Sequence, residues 1–258
     1  MENVCIFDIE TIPDADAIAR LQQVDCLSPD EQFDFAELHR RSEVGHTFMR
    51  HHLHKVASIA LCFSRHGKFK VASVGEIGDD EKTLLTKFFN LIDTYRPQLV
   101  SWNGSGFDLP VLHYRALFHG VAAPTYWDVG HFDNGSKWNN YLSRFQWQHI
   151  DLMDVIAGYQ GRCVAPLNDI AKLCGFPGKL ATDGSAVLDL YKANRLDAIR
   201  DYCETDVLNT YLVYLRFELI RGLCSAAQYQ QHIDDLKTYL RHADKPHFDE
   251  FLTAWDNT

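Results

Sequence analysis

The chain has 258 residues, 46% hydrophobic and 23% charged, and 35 acids against 25 lysines and arginines leave a net charge of −10. Length and composition suit a globular fold with a sizeable core, built as one large domain or two small ones, and no run approaches the ~18 apolar residues of a membrane span. The acidic balance argues against a protein that coats duplex DNA with a broad basic face, but not against a narrow site that grips one strand end.

The first element is "VCIFDIETIPD", residues 4–14, whose apolar content predicts a strand over 4–10. Side chains alternate faces along a strand, so Val4, Ile6, Asp8 and Glu10 share one face while Cys5, Phe7 and Ile9 take the other. Two carboxylates side by side in a buried strand cost several kcal/mol for each unpaired ion. No Lys or Arg is adjacent, which leaves a distant basic residue or a divalent cation to supply positive charge; hard cations such as Mg²⁺ take oxygen ligands. The start is too short and too acidic for a signal peptide, and the expected location is cytoplasmic.

A polar stretch follows over 13–54, with helical patterns near 14–23 and 30–42. Two apolar runs, 56–64 and 69–75, joined by Arg65-His66-Gly67-Lys68, predict a hairpin. Asp79 and Glu81 repeat the D-x-E pattern, but in a Gly-flanked polar turn that reads as a solvated loop. A helix is predicted over 81–96 and a strand over 98–103. Beyond that the pattern is helical, over 109–118, 151–160, 167–174, 185–193, 195–221, 226–242 and 247–255. Three early strands and then alternating elements imply an α/β fold, a mixed sheet with helices packed on it. No linker divides the chain, so 1–258 reads as a single domain. The seven cysteines contain no C-x-x-C pair and read as reduced and buried, and His51, His52 and His54 lack the context of a zinc site.

Two later stretches carry acids. In "LVSWNGSGFDLPVL" (99–112) an apolar strand ends at Asn103, a Gly-containing turn follows, and Asp108 precedes a helix. Alone, Asp108 before Leu109-Pro110 favours an N-cap, worth ~1 kcal/mol. Loops leaving the carboxyl ends of strands are also where α/β folds place their sites. In "RDYCETDVLNTYLVYL" (200–215) Tyr202 and Asp206 lie one helical turn apart on one face.

Together "FDIET", "NGSGFD" and "YCETD", in that order, resemble the three exonuclease motifs of the DEDD superfamily. They are most similar to the proofreading 3′–5′ exonuclease domain of family-B DNA polymerases and its stand-alone bacterial counterparts. The resemblance covers about residues 4–216, with 13–54 as an insertion and 217–258 as a helical extension. It implies an RNase H-like mixed sheet flanked by helices, its first three strands forming a meander. It also implies that Asp8, Glu10, Asp108 and Asp206 are the four acids and Tyr202 the fifth group, the DEDDy subtype. The chemistry implied is two-metal phosphodiester hydrolysis with two divalent cations, Mg²⁺ or Mn²⁺. Asp8 would bridge both ions, Glu10 and Asp206 would complete one, Asp108 would hold the other through water, and Tyr202 would position the attacking water.

Substrate contacts are expected at Thr11 and Ile12, which follow Glu10, at Trp102 and Asn103 at the strand end, at Lys179 in "FPGKL", and at Phe107, whose surroundings favour core packing. Asp151 and Asp154 read as helix-start caps. The expected partners are single-stranded nucleic acid 3′ ends, DNA favoured over RNA, a polymerase or repair partner in trans, and no membrane. An exoribonuclease on short RNA and a non-catalytic nuclease-like interaction module are the alternatives. The net charge implies grip on about two to four phosphates, a log–log salt slope of roughly −1.4 to −2.8.

Overall fold

β1 (Val4–Pro13) runs three residues further than its apolar pattern predicts. It continues because β2 (His54–Arg65) pairs antiparallel along its whole length, through a register irregularity between Glu10 and Thr11. β3 (Lys68–Ser73) pairs antiparallel with β2. On the other side β4 (Gln98–Ser101) and then β5 (His149–Asp151) add in parallel, giving the order β3-β2-β1-β4-β5. This is the RNase H-like mixed sheet, with its opening meander, that the motifs implied. The computed structural model describes residues 3–65, 68–180 and 186–258. The predicted hairpin turn at His66-Gly67 and the first residue of the helix predicted over 185–193 lie outside the described residues.

The helices follow in order. α1 (Ala15–Gln22) and α2 (Pro29–Val44) fill the polar stretch, each opened by a side-chain cap, from Asp14 and Ser28. α3 (Glu81–Tyr95) and α4 (Asp108–His119) flank β4, and the single-turn α5 (Pro124–Trp127) follows. The helix predicted over 151–160 divides into β5 and the five-residue α6 (Leu152–Ile156), because a three-residue strand is too short to show alternation. α7 (Leu167–Leu173), α8 (Val187–Lys192), α9 (Leu196–Ile220), α10 (Ala226–His242) and α11 (Pro246–Asp256) complete the chain.

Strand alternation places two cores on opposite faces of the sheet. Cys5, Phe7 and Ile9 pack with Leu85, Phe88 and Leu112 of α3 and α4. Val4 and Ile6 pack instead with Val207, Leu208 and Tyr211 of α9. The face carrying Asp8 and Glu10 is therefore the α9 face. α9 is buried from Tyr202 to Leu215 without interruption, so it needs cover on every side. Leu236 and Leu240 of α10 and Phe248, Phe251 and Trp255 of α11 join its core, which gives the 217–258 extension a packing role.

Two sequence expectations are corrected here. Glu81, read as a solvated acid, is buried and bonded to the Arg115 guanidinium, to His119 and to the Val56 N–H, because α3 turns its first residue inward. Arg115 also binds Asp14 at 2.6 Å, so one buried cation ties α4 and α3 to the end of β1. The cysteines are all free, but Cys26 and Cys163 are exposed and Cys174 is half-buried, since they occupy turns and helix ends rather than core strands. Among the described residues no helix is long and apolar enough to cross a membrane.

Candidate active site

Three elements bring the acids together just past the carboxyl end of β4, beside the middle of β1. Asp8 and Glu10 project from β1 toward α9, which carries Tyr202 and Asp206 one turn apart. Asp108 arrives from the far side of the sheet. β4 ends at Ser101 while β1 continues, so β1 has an N–H with no strand partner there. The Asp108 carboxylate fills that role, accepting from Ile9 N at 3.2 Å. This corrects the N-cap reading: α4 begins at Asp108 itself, Phe107 is the capping position, and its side chain makes no cap bond.

The four carboxyls are close enough to perturb one another. Burial first, and then Asp108, Glu10 and Asp206, hold the Asp8 carboxyl well above its ordinary range. Glu10 is raised by burial and then by Asp206, and Asp206 itself is raised by burial. Asp108 is pushed up to about 7 by burial, against the lowering pull of backbone N–H donors. Asp206 Oδ1 is buried with no hydrogen-bond partner among the described residues. Buried acids with raised pKa values and an unpartnered carboxylate oxygen form a hard-oxygen donor set that fits a divalent cation.

Lys179 supplies the positive charge from a distance. Its ammonium donates to Tyr202 Oη at 2.5 Å and pairs with Asp206 Oδ2 at 3.1 Å. Burial alone would lower its pKa, but Asp206, Glu10 and Asp8 outweigh that and raise it. A single lysine does not offset the burial that raises all four acids. Asn209, fully buried on α9 one turn beyond Asp206, holds the lysine loop: it accepts from Gly178 N at 3.0 Å and donates to Gly178 O at 2.8 Å. The motifs do not include Asn209, although its place three residues after Asp206, on nearly the same helix face, is a signal of the same kind as Tyr202.

Tyr202 is buried against Ile12, Val187 and Ile199. Burial and then the Asp206, Glu10 and Asp8 carboxylates push its phenol far above the ordinary range, which favours the protonated form. Cys203, also outside the predicted set, lies with Asp8 and Glu10 in a group whose ligand atoms fall within 4.8 Å of one another. Its thiol is raised well above its ordinary range by burial, so it remains a donor, 3.6 Å from Asp8 Oδ2.

The remaining candidates separate. Asn103 adopts a left-handed conformation (φ 64°) that asparagine tolerates, and its N–H, with that of Ser105, donates to Asp151. Asp151 thus caps α6, as expected, and also anchors the loop that delivers Asp108. Gly104 presses on Ser101, where any Cβ would collide with the serine side chain. Trp102 packs against the α9 core with its indole N–H buried and unpartnered among the described residues. Phe107 joins the rings of Phe48, His51 and His54, consistent with packing. Thr11 bonds His54 at 2.9 Å, and Ile12 is buried beneath Tyr202. Asp154 pairs with Arg144.

The raised pKa values carry a signed consequence. An acid whose folded pKa exceeds its unfolded value costs nothing below about pH 4 and removes stability as pH rises through the folded pKa. The buried histidines His54, His113 and His149, lowered to about 4, 4 and 3, act oppositely, removing stability as pH falls below about 6.5. The informative quantity is therefore the difference between wild type and Asp8→Asn in EDTA. The variant is expected to melt higher than wild type at pH 8, by at least about 3 °C for ~1 kcal/mol, with a smaller difference at pH 5. Equal differences at the two pH values, read by thermal melts, would contradict the raised pKa.

Comparison with known proteins places this geometry. A family described as predicted 3′–5′ exonucleases related to the exonuclease domain of PolB matches residues 46–255. The match takes in Asp108, Lys179, Tyr202 and Asp206 and begins after Asp8 and Glu10. The chain is 27% identical over 154 residues to the DNA polymerase epsilon catalytic subunit of Schizosaccharomyces pombe, covering 57% of this chain and 7% of that protein. It is 38% identical over 77 residues to the corresponding polymerase epsilon protein of Dictyostelium discoideum, covering 28% of this chain and 3% of that protein. The chain thus spans less than a tenth of the length of these relatives. With the family matched over most of its length and its acids converging on one face of the expected sheet, the chain belongs to the 3′–5′ exonucleases related to the exonuclease domain of PolB.

Proposed function

We propose that the protein is a metal-dependent 3′–5′ exonuclease that removes nucleotides from the 3′ end of single-stranded DNA, releasing 5′-mononucleotides. The observation that carries this reading is the convergence of the half-buried Asp8 with the buried Glu10, Asp108, Asp206 and Tyr202. Asp8, Glu10, Asp108 and Asp206 would hold two divalent cations, Mg²⁺ or Mn²⁺. Such ions, when bound, make water a nucleophile near neutral pH and stabilise the leaving oxygen.

The chain's own residues do the rest. Tyr202 donates its hydroxyl proton toward the attacking water and fixes its direction. Lys179, which pairs with Asp206 at 3.1 Å, would meet the scissile phosphate. The loop Asn103–Phe107, fixed by Asp151, and Thr11 border the place where the terminal nucleotide would lie. The polymerase names of the relatives favour DNA over RNA, and a polymerase or repair partner acting in trans.

The test is degradation of 5′-labelled single-stranded DNA, duplex DNA and RNA in Mg²⁺ or Mn²⁺. A ladder shortening from the 3′ end, fastest on single-stranded DNA, is expected. Faster RNA shortening would make the protein an exoribonuclease, and no shortening of any strand would leave a non-catalytic module.

A further inference from the structure

At the end of the sheet remote from the acids, the β2–β3 hairpin opens onto a groove of about 730 Å³. Arg65 at the end of β2 and Lys68 and Lys70 on β3 line it, and no carboxylate does among the described residues. Phe63 and Tyr95 of α3 stand on the same sheet face as these cations, while Phe69 turns to the α9 face and packs on Tyr211 and on Tyr239 of α10, which borders the groove from the other side of β3. The Arg65 guanidinium lies over the Tyr95 ring, 4.9 Å from its centroid, and Phe63 packs on the same ring. Lys68 and Lys70 are exposed. Three cations interleaved with aromatic faces, on a chain of net charge −10, select a ligand that is anionic and has flat apolar faces.

Lysines on an edge strand also serve to block strand pairing, and β3 is an edge. Here that protection is supplied by other groups. Val71 donates its N–H to Tyr239 Oη at 3.0 Å, and the hydroxyl returns its proton to the Val71 carbonyl at 3.2 Å. Ser73 N–H is taken by Glu204 at 2.9 Å. With these outward backbone groups occupied, addition of a peptide strand is disfavoured, and recognition falls to the side chains.

We propose that this groove is a second binding site for single-stranded nucleic acid, which grips the substrate strand away from its 3′ end. The proposal rests on the exonuclease reading for its substrate. Asp8 pairs with Ala60, and Arg65 lies five residues further along β2, about 17 Å at ~3.4 Å per residue. The odd count turns Arg65 to the α3 face while Asp8 lies on the α9 face, so a stacked strand needs about five nucleotides for that length, at ~3.4 Å each, and more to round the edge at β3, a reach that dT15 has and dT4 lacks. The basic cluster is written in "RHGKFK", where the spacing alone signals a turn. Three added phosphate contacts steepen the salt slope by about 2 beyond that of the catalytic end.

The test is fluorescence anisotropy of 5′-fluorescein dT4, dT15 and rU15 in EDTA, where binding is read without hydrolysis, so that an inactive enzyme and an absent groove give different results. Wild type is expected to bind dT15 with a salt slope steeper by about 2 than dT4. Lys68→Glu/Lys70→Glu, and the milder Lys68→Gln/Lys70→Gln, are expected to weaken dT15 binding at least about tenfold, while Lys82→Glu on exposed α3 surface is not. Equal weakening for rU15 assigns the groove to either backbone, and weakening for dT15 alone restricts it to DNA; both support the proposal. It is overturned if both double variants bind dT15 and rU15 as wild type does, or if they lose binding of a fluorescent decaglutamate instead, which would make the groove a dock for an acidic protein.

Discussion

Asp8→Asn is expected to lower the rate of 3′-end hydrolysis by at least about a thousandfold, the equivalent of ~4 kcal/mol of transition-state stabilisation. The substitution keeps the shape of a side chain that β1 holds between β2 and α9, and it removes charge from a cluster where Glu10, Asp108 and Asp206 already repel it. Activity falls while the metal-free fold becomes firmer, a combination that ordinary destabilisation does not produce. Single-turnover degradation of 5′-labelled DNA, set beside thermal melts, reads both. Retention of a tenth of the wild-type rate would remove Asp8 from the centre of the mechanism.

Tyr202→Phe is expected to lower the rate by about ten- to a thousandfold, the range for losing one oriented donor. The ring stays packed on Ile12, Val187 and Ile199, so the melting temperature should stay close to that of wild type. Because Tyr202 is held protonated, the loss should be similar from pH 7 to pH 9; a base would instead give a loss that varies with pH. An unchanged rate would reduce Tyr202 to a packing residue and leave Lys179 with Asp206 alone.

The parts of this fold legible in the sequence are those with long, regular patterns. The alternation of β1 assigned Asp8 and Glu10 to one face, and the four-residue spacing of Tyr202 and Asp206 put them on one face of α9. The helix predicted over 226–242 coincides with α10. What failed was set by tertiary structure. β5 has three residues and no period to read. Glu81 sits in a polar turn by composition, yet Arg115, far along the chain, draws it into a buried ion cluster. Asp108 looks like a cap until β4 is seen to stop short of β1. Lys179 lies far in sequence from the four clustered acids, and the Asn209 clamp on its loop, with Asn168 accepting from the Lys179 N–H, brings its charge to them.

Titration calorimetry of Mn²⁺ into metal-free protein at pH 8 reads the acid cluster without relying on substrate, strand polarity or product. Wild type is expected to bind two ions per chain with saturable heat. Asp8→Asn, which lacks the carboxylate assigned to bridge them, is expected to bind at most one, and weakly. Absence of binding by wild type, or indistinguishable isotherms for the two proteins, would contradict divalent cations as the counter-charge of Asp8, Glu10, Asp108 and Asp206.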